Sequence, residues 1–146
     1  MRQQVTKSII VTSDTADLYE TWKDFPSHPQ FMRYIKSVTP QGDETYRWVM
    51  AGPNDVEAEW ITETTRLEPN KRIAWKTIEG DLKTSGQVTF TELSKGQAEI
   101  TITMQTILQD EPLNEAASFL FKDEGAQLEK DLRSFRDFVE TKKASA

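Results

Sequence analysis

Apolar residues alternate with polar ones through the middle of this chain and recur every three or four residues near its end. The first spacing predicts strands, the second a helix. Residues 4–12, QVTKSIIVT, are rich in β-branched side chains and read as an opening strand. A helix follows, with Ser13 or Asp14 as its N-cap and Leu18, Trp22 and Phe25 sharing one face. Pro26 is expected to stop that helix. Ser27-His28-Pro29-Gln30 then reads as a capping box opening a second short helix through Phe31 and Met32.

From Ile35 to about Leu108 no helical period is found. Runs of alternating residues are separated by turn signals at 41–44 (QGDE), 52–55 (GPND), 68–71 (EPNK), 80–81 (GD) and 94–97 (SKGQ), which predicts a meander of antiparallel strands. Alternation assigns Tyr46, Trp48, Met50, Val56, Ala58 and Trp60 to one face. Ile73, Trp75, Val88, Phe90, Ile100, Ile102 and Met104 join them there. Their neighbours are mostly polar, including Glu57, Glu59 and Glu63, so one face of the sheet is dry and the other wet.

Residues 112–142 would span roughly 45 Å as one helix. Phe121, Gly125, Leu128, Leu132, Phe135 and Val139 form a stripe along it. Gly125 is the odd member: either it kinks or breaks the helix, or it leaves room for a guest above the sheet. Phe119 and Phe138 lie off the stripe and either tuck under loops or meet a partner. The order is therefore one strand, two short helices, a run of strands and a final helix long enough to cover the dry face. Such an arrangement tends to leave a cavity between sheet and helix.

Length places all 146 residues in a single domain, 1–146, large enough to bury about 68–70% of its unfolded surface. The absence of cysteine excludes disulfides and thiolate chemistry, and a single histidine excludes a multi-histidine metal site. No metal and no cofactor is expected; Gly52-Pro53-Asn54 is a turn, not a phosphate loop. With 24 acidic against 18 basic residues, the charge of −6 argues against nucleic acid and against anionic membranes as partners. The opening residues, MRQQVTKSIIVTSD, hold no apolar stretch of signal-peptide length, and no segment reaches the ~20 apolar residues of a membrane span. A cytoplasmic location without stable membrane insertion is the expectation; oligomeric state is not legible.

Candidate chemistry is sparse. Proton abstraction beside a ketone needs a base and a donor for the developing enolate. The polar residues of the dry face are Tyr46, Thr62, Thr64, Thr77 and Thr106. Tyr46 and Tyr34 are candidate donors. His28 is the candidate base because it alone titrates near neutral pH, although its place at a helix start predicts exposure. No serine stands in a nucleophile-elbow context. The tryptophans, with Phe31 and Met32 near a pocket mouth, are either core or ligand contacts.

SIIVTSDTADLYETWKDFPSHPQFM, YRWVMAGP, AEWITE, RIAWKTIEG, SGQVTF and LEKDLRSFRDFVE occur in that order. With them the chain resembles the polyketide cyclase/dehydrase group of the helix-grip superfamily, which includes START and birch-pollen-allergen-like domains. The resemblance implies an α+β helix-grip fold: a seven-stranded curved antiparallel sheet gripping the C-terminal helix around an apolar pocket. In the aromatase/cyclases of that group a pocket arginine falls where this chain has Thr64, and a tryptophan where it has His28. Arg66, two residues on in the same alternation phase, is able to point inward near the strand end, and either Arg66 or His28 is the charged partner if a keto substrate is bound. The expected cavity residues are Phe31, Trp48, Met50, Trp60, Thr62 and Trp75, with Phe90, Met104, Phe121, Gly125 and Leu128. The expected function is binding of an apolar or aromatic small molecule such as a lipid, quinone or polyketide. Alternatives are cyclisation or dehydration of a keto substrate, and a protein-interaction module with a filled core.

Overall fold

The computed structural model describes residues 2–51, 57–80, 83–107 and 124–144. Strand β1 (Arg2–Val11) leads into α1 (Thr15–Lys23) and a 3-10 helix (Phe25–Gln30). The strands β2 (Ile35–Gly42), β3 (Thr45–Ala51) and β4 (Glu57–Glu68) follow. They continue as β5 (Arg72–Gly80), β6 (Lys83–Ser94) and β7 (Gln97–Ile107), and α2 (Glu124–Ala144) ends the described chain. The sheet runs β1-β7-β6-β5-β4-β3-β2, each neighbour antiparallel. Seven strands and a terminal helix are present as the resemblance implied.

Local chemistry accounts for the boundaries. Asp14 caps α1 by accepting from Asp17 N at 2.8 Å. Pro26 does not end a helix; it sits in the first positions of the 3-10 helix, which lacks its N–H bond anyway. Ser27 is therefore inside that helix, its hydroxyl donating to Asp24 O at 2.8 Å, and the expected capping box is not formed. Asn70 and Gly96 adopt positive φ in the turns expected at 68–71 and 94–97. The 52–55 turn, Val56, Phe119 and Phe121 lie outside the described residues.

The two faces separate as alternation predicts. Ala58, Ile73, Val88, Ile100 and Ile102 are buried, while Glu57, Glu59 and Glu63 are exposed. On the wet face Arg47 is paired with Glu59 and Lys36 with Glu57. One departure matters for function. A bulge between Thr64 and Arg66 inserts Thr65 without a partner, so Leu67 rather than Arg66 faces the core opposite Ile73. Arg66 is turned outward, bound to Glu68 at 3.0 Å. A single extra residue has reversed the phase.

Helix α2 lies along β1 and reaches α1. Leu128, Leu132, Phe135 and Val139 are buried as the stripe predicts. Gly125 stands in the first turn, where an added β-carbon would make ordinary contacts with Val5 and Lys7 at 3.7 Å. Its neighbours are on β1, and it is not among the residues that line the cavity. Phe138 packs on Phe31, ring centres 5.5 Å apart.

Candidate functional site

A cavity of about 130 Å³ lies between the sheet and the helices. Its floor is Trp48 of β3, Trp60 and Thr62 of β4, and Trp75 of β5, continued by Thr84 of β6. Ile102, Met104 and Thr106 of β7 close that side. Above them are Trp22, Phe25 and His28 from the α1 and 3-10 segment, then Met32 and Ile35. Gln127, Leu128 and Asp131 come from α2. All four tryptophans of the chain line this space.

Register and ring packing explain why they meet. Trp48 and Trp60 are direct cross-strand partners, their rings parallel within 7° at 6.3 Å. Trp75 pairs with Gly86, where a β-carbon would come within 2.9 Å of the indole and 2.8 Å of Thr103 O. Glycine at that position makes room for the ring. Trp22 packs edge-on against Phe135 at 5.1 Å and His28 at 4.9 Å, which anchors the roof.

Polar groups in the wall are few. Trp48 Nε1 donates to Thr62 Oγ1 at 2.9 Å, which leaves the Thr62 hydroxyl hydrogen for another acceptor. His28 is buried, not exposed as its helix-start position predicted, because the 3-10 turn folds it under Trp48 and Phe31. Its Nε2 lies 2.8 Å from Trp22 O; a carbonyl only accepts, so Nε2 carries the hydrogen and Nδ1 the lone pair. Nδ1 is buried with no hydrogen-bond partner. Burial pushes the imidazole down to about 4, against the raising effect of the bond to Trp22. Histidine that resists protonation this strongly is a weak base at neutral pH.

Asp131 is the opposite case. Its Oδ1 accepts from Gln127 Nε2 at 3.1 Å and from Arg33 N at 3.4 Å, tying α2 to the segment after the 3-10 helix. Burial pushes the carboxyl up to about 6, only partly offset by those two hydrogen bonds. Asp131 escaped the sequence reading, although the signal was there. It stands three residues after Leu128 and four before Phe135, on the buried side of an otherwise apolar stripe.

Of the expected cavity residues, Trp48, Trp60, Thr62, Trp75, Met104 and Leu128 meet in one wall, joined by His28. Met50, Phe31 and Phe90 are buried elsewhere in the core, Phe90 with its ring 6.3 Å from Tyr19. Alternation alone cannot tell core from cavity. Tyr46 packs against Phe25 at 4.9 Å outside the wall; burial, then the charges of Glu44 and Asp24, raise its hydroxyl pKa. Tyr34 lies under the Arg33 guanidinium at 5.4 Å, also outside it. Thr64 pairs with Trp75 across β4 and β5, its Oγ1 buried and unpartnered. Among the described residues no arginine or lysine enters the wall, no metal-holding group of His, Cys, Asp or Glu is found, and no helix could cross a membrane.

An antiparallel sheet roofed by a C-terminal helix over an aromatic cavity defines a helix-grip protein. The chain belongs to the polyketide cyclase/dehydrase and lipid transport family, whose model matches residues 12–123. An uncharacterized 17.2 kDa protein of Streptomyces lincolnensis is 28% identical over 139 residues, 94% of this chain and 89% of that one. An aromatase/cyclase of Streptomyces sp. R1128 shares the fold with a TM-score of 0.81 and 15% identity, covering 96% of this chain and 94% of its own. A START superfamily protein of Mycobacterium smegmatis gives 0.79 and 16%, with 94% and 97% covered. At these identities the two structures speak for the fold alone.

Proposed function

We propose that this chain binds a small aromatic molecule between its sheet and α2. The observation that carries the reading is the convergence of all four tryptophans on one cavity. Four large rings with so few polar groups around them suit a flat apolar guest. Size narrows the guest. About 130 Å³ is close to the ~150 Å³ that holds a benzene, and small beside the roughly 300–1,000 Å³ of drug-sized sites. One ring therefore fits better than a folded polyketide or a lipid tail.

The keto-substrate reading loses its candidate cation here: Arg66 faces solvent and pairs with Glu68. The filled-core reading is disfavoured by the cavity itself. Native mass spectrometry of the purified chain is the test, before and after incubation with monocyclic aromatics. A discrete one-to-one adduct on the order of 100 Da is expected. Bare protein in both spectra would sink the proposal and favour the filled core.

A further inference from the structure

We infer that the cavity is selective for amines: the ammonium group of a small arylalkylamine pairs with Asp131 while its ring lies among Trp22, Trp48, Trp60 and Trp75. This rests on the cavity being a ligand site and names the class of ligand. Both hydrogen bonds to Asp131 end on Oδ1 and come from uncharged donors, so Oδ2 accepts none among the described residues. Among the described residues the wall contains no lysine or arginine to neutralise the carboxylate.

Among the described residues the basic side chains flanking Asp131 are engaged elsewhere or exposed. The Arg33 guanidinium lies over Tyr34, and Lys7 and Arg133 both pair with Glu129. Lys130 is exposed. An ionised carboxylate set in an apolar wall without a counter-ion is costly, and a ligand that brings the positive charge removes that cost. Indole faces attract the same cation through their quadrupole. A carboxylate ligand meets repulsion from Asp131 and finds no cation among the described residues of the wall. A neutral alcohol of the same skeleton gains only a hydrogen bond.

The test uses three probes with one ring and two-carbon side chains: 2-phenylethylamine, 2-phenylethanol and phenylacetate. Every tryptophan is in the wall, so intrinsic fluorescence reports each titration of the full chain directly. At neutral pH and moderate salt the amine should bind about tenfold or more tighter than the alcohol, and phenylacetate weakest. Asp131→Asn, which keeps an oxygen for Gln127 and Arg33, should bring the amine-to-alcohol ratio to about one. Alcohol binding as tight as amine in the wild type, or a ratio unchanged by Asp131→Asn, would overturn the amine assignment and leave the aromatic site standing. Failure of all three probes would overturn the site itself.

Discussion

Replacing His28 with glutamine removes a group that is neutral in the fold and charges readily once the chain unfolds. The amide nitrogen of glutamine can still donate to Trp22 O, so packing is disturbed less than titration. The native imidazole titrates at about 4 against 6.5 for a free one. Between those values the unfolded chain binds the extra proton, so stability is full above pH 6.5 and is lost as pH falls toward 4. At about 1.36 kcal/mol per pH unit, the loss by pH 4 is about 3 kcal/mol. Asp131 acts in the opposite sense. Its carboxyl titrates at about 6 in the fold against 3.8 free, so the native state binds the extra proton between those values. Its contribution is full below pH 3.8 and lost as pH rises through 6, by about 2 kcal/mol once solvent at the cavity mouth is allowed for. In the native chain the two slopes largely cancel from pH 4 to 6.5. Urea denaturation at several pH values, compared between variants, separates them because the remaining carboxylates are common to all. His28→Gln should destabilise progressively with rising pH relative to wild type, Asp131→Asn the reverse. Variant-minus-wild-type differences that stay flat across this window would refute the account of both groups.

Phe135→Ala should cost about 3–5 kcal/mol in urea denaturation, since the ring is fully buried against Trp22 and Phe31. Gly86→Ala should displace the Trp75 indole, shift tryptophan fluorescence and weaken binding of 2-phenylethanol, because the new methyl occupies the space of that ring. Arg66→Ala should change stability by less than about 1 kcal/mol and leave probe binding as it was, given its exposed pair with Glu68.

The sheet was legible because burying one face imposes a period of two that composition cannot hide; Glu57, Glu59 and Glu63 mark the wet side and Ala58 and Trp60 the dry one. Turns carrying Asn70 and Gly96 were legible because few residues tolerate positive φ. The site was legible only as far as the same periodicity reached. It brought Trp48, Trp60, Trp75 and Met104 to the right face, yet grouped them with Met50 and Phe90, which pack into solid core. Which dry-face residue borders empty space depends on how far α2 stands off each strand, a property of three-dimensional packing with no sequence period. Arg66 shows the other limit. Its inward placement followed from counting by twos, and one bulged residue, Thr65, was enough to turn it to solvent. Roof residues were hardest, since His28 owes its burial to a 3-10 turn whose proline reads equally well as a stop or a start. Asp131 is a charged residue on the buried side of an otherwise apolar stripe. Such a violation costs stability unless something offsets it, and the structure places it in the wall of the aromatic cavity. A local rule broken beside open space marks where folding physics and ligand binding make competing demands on the same side chain.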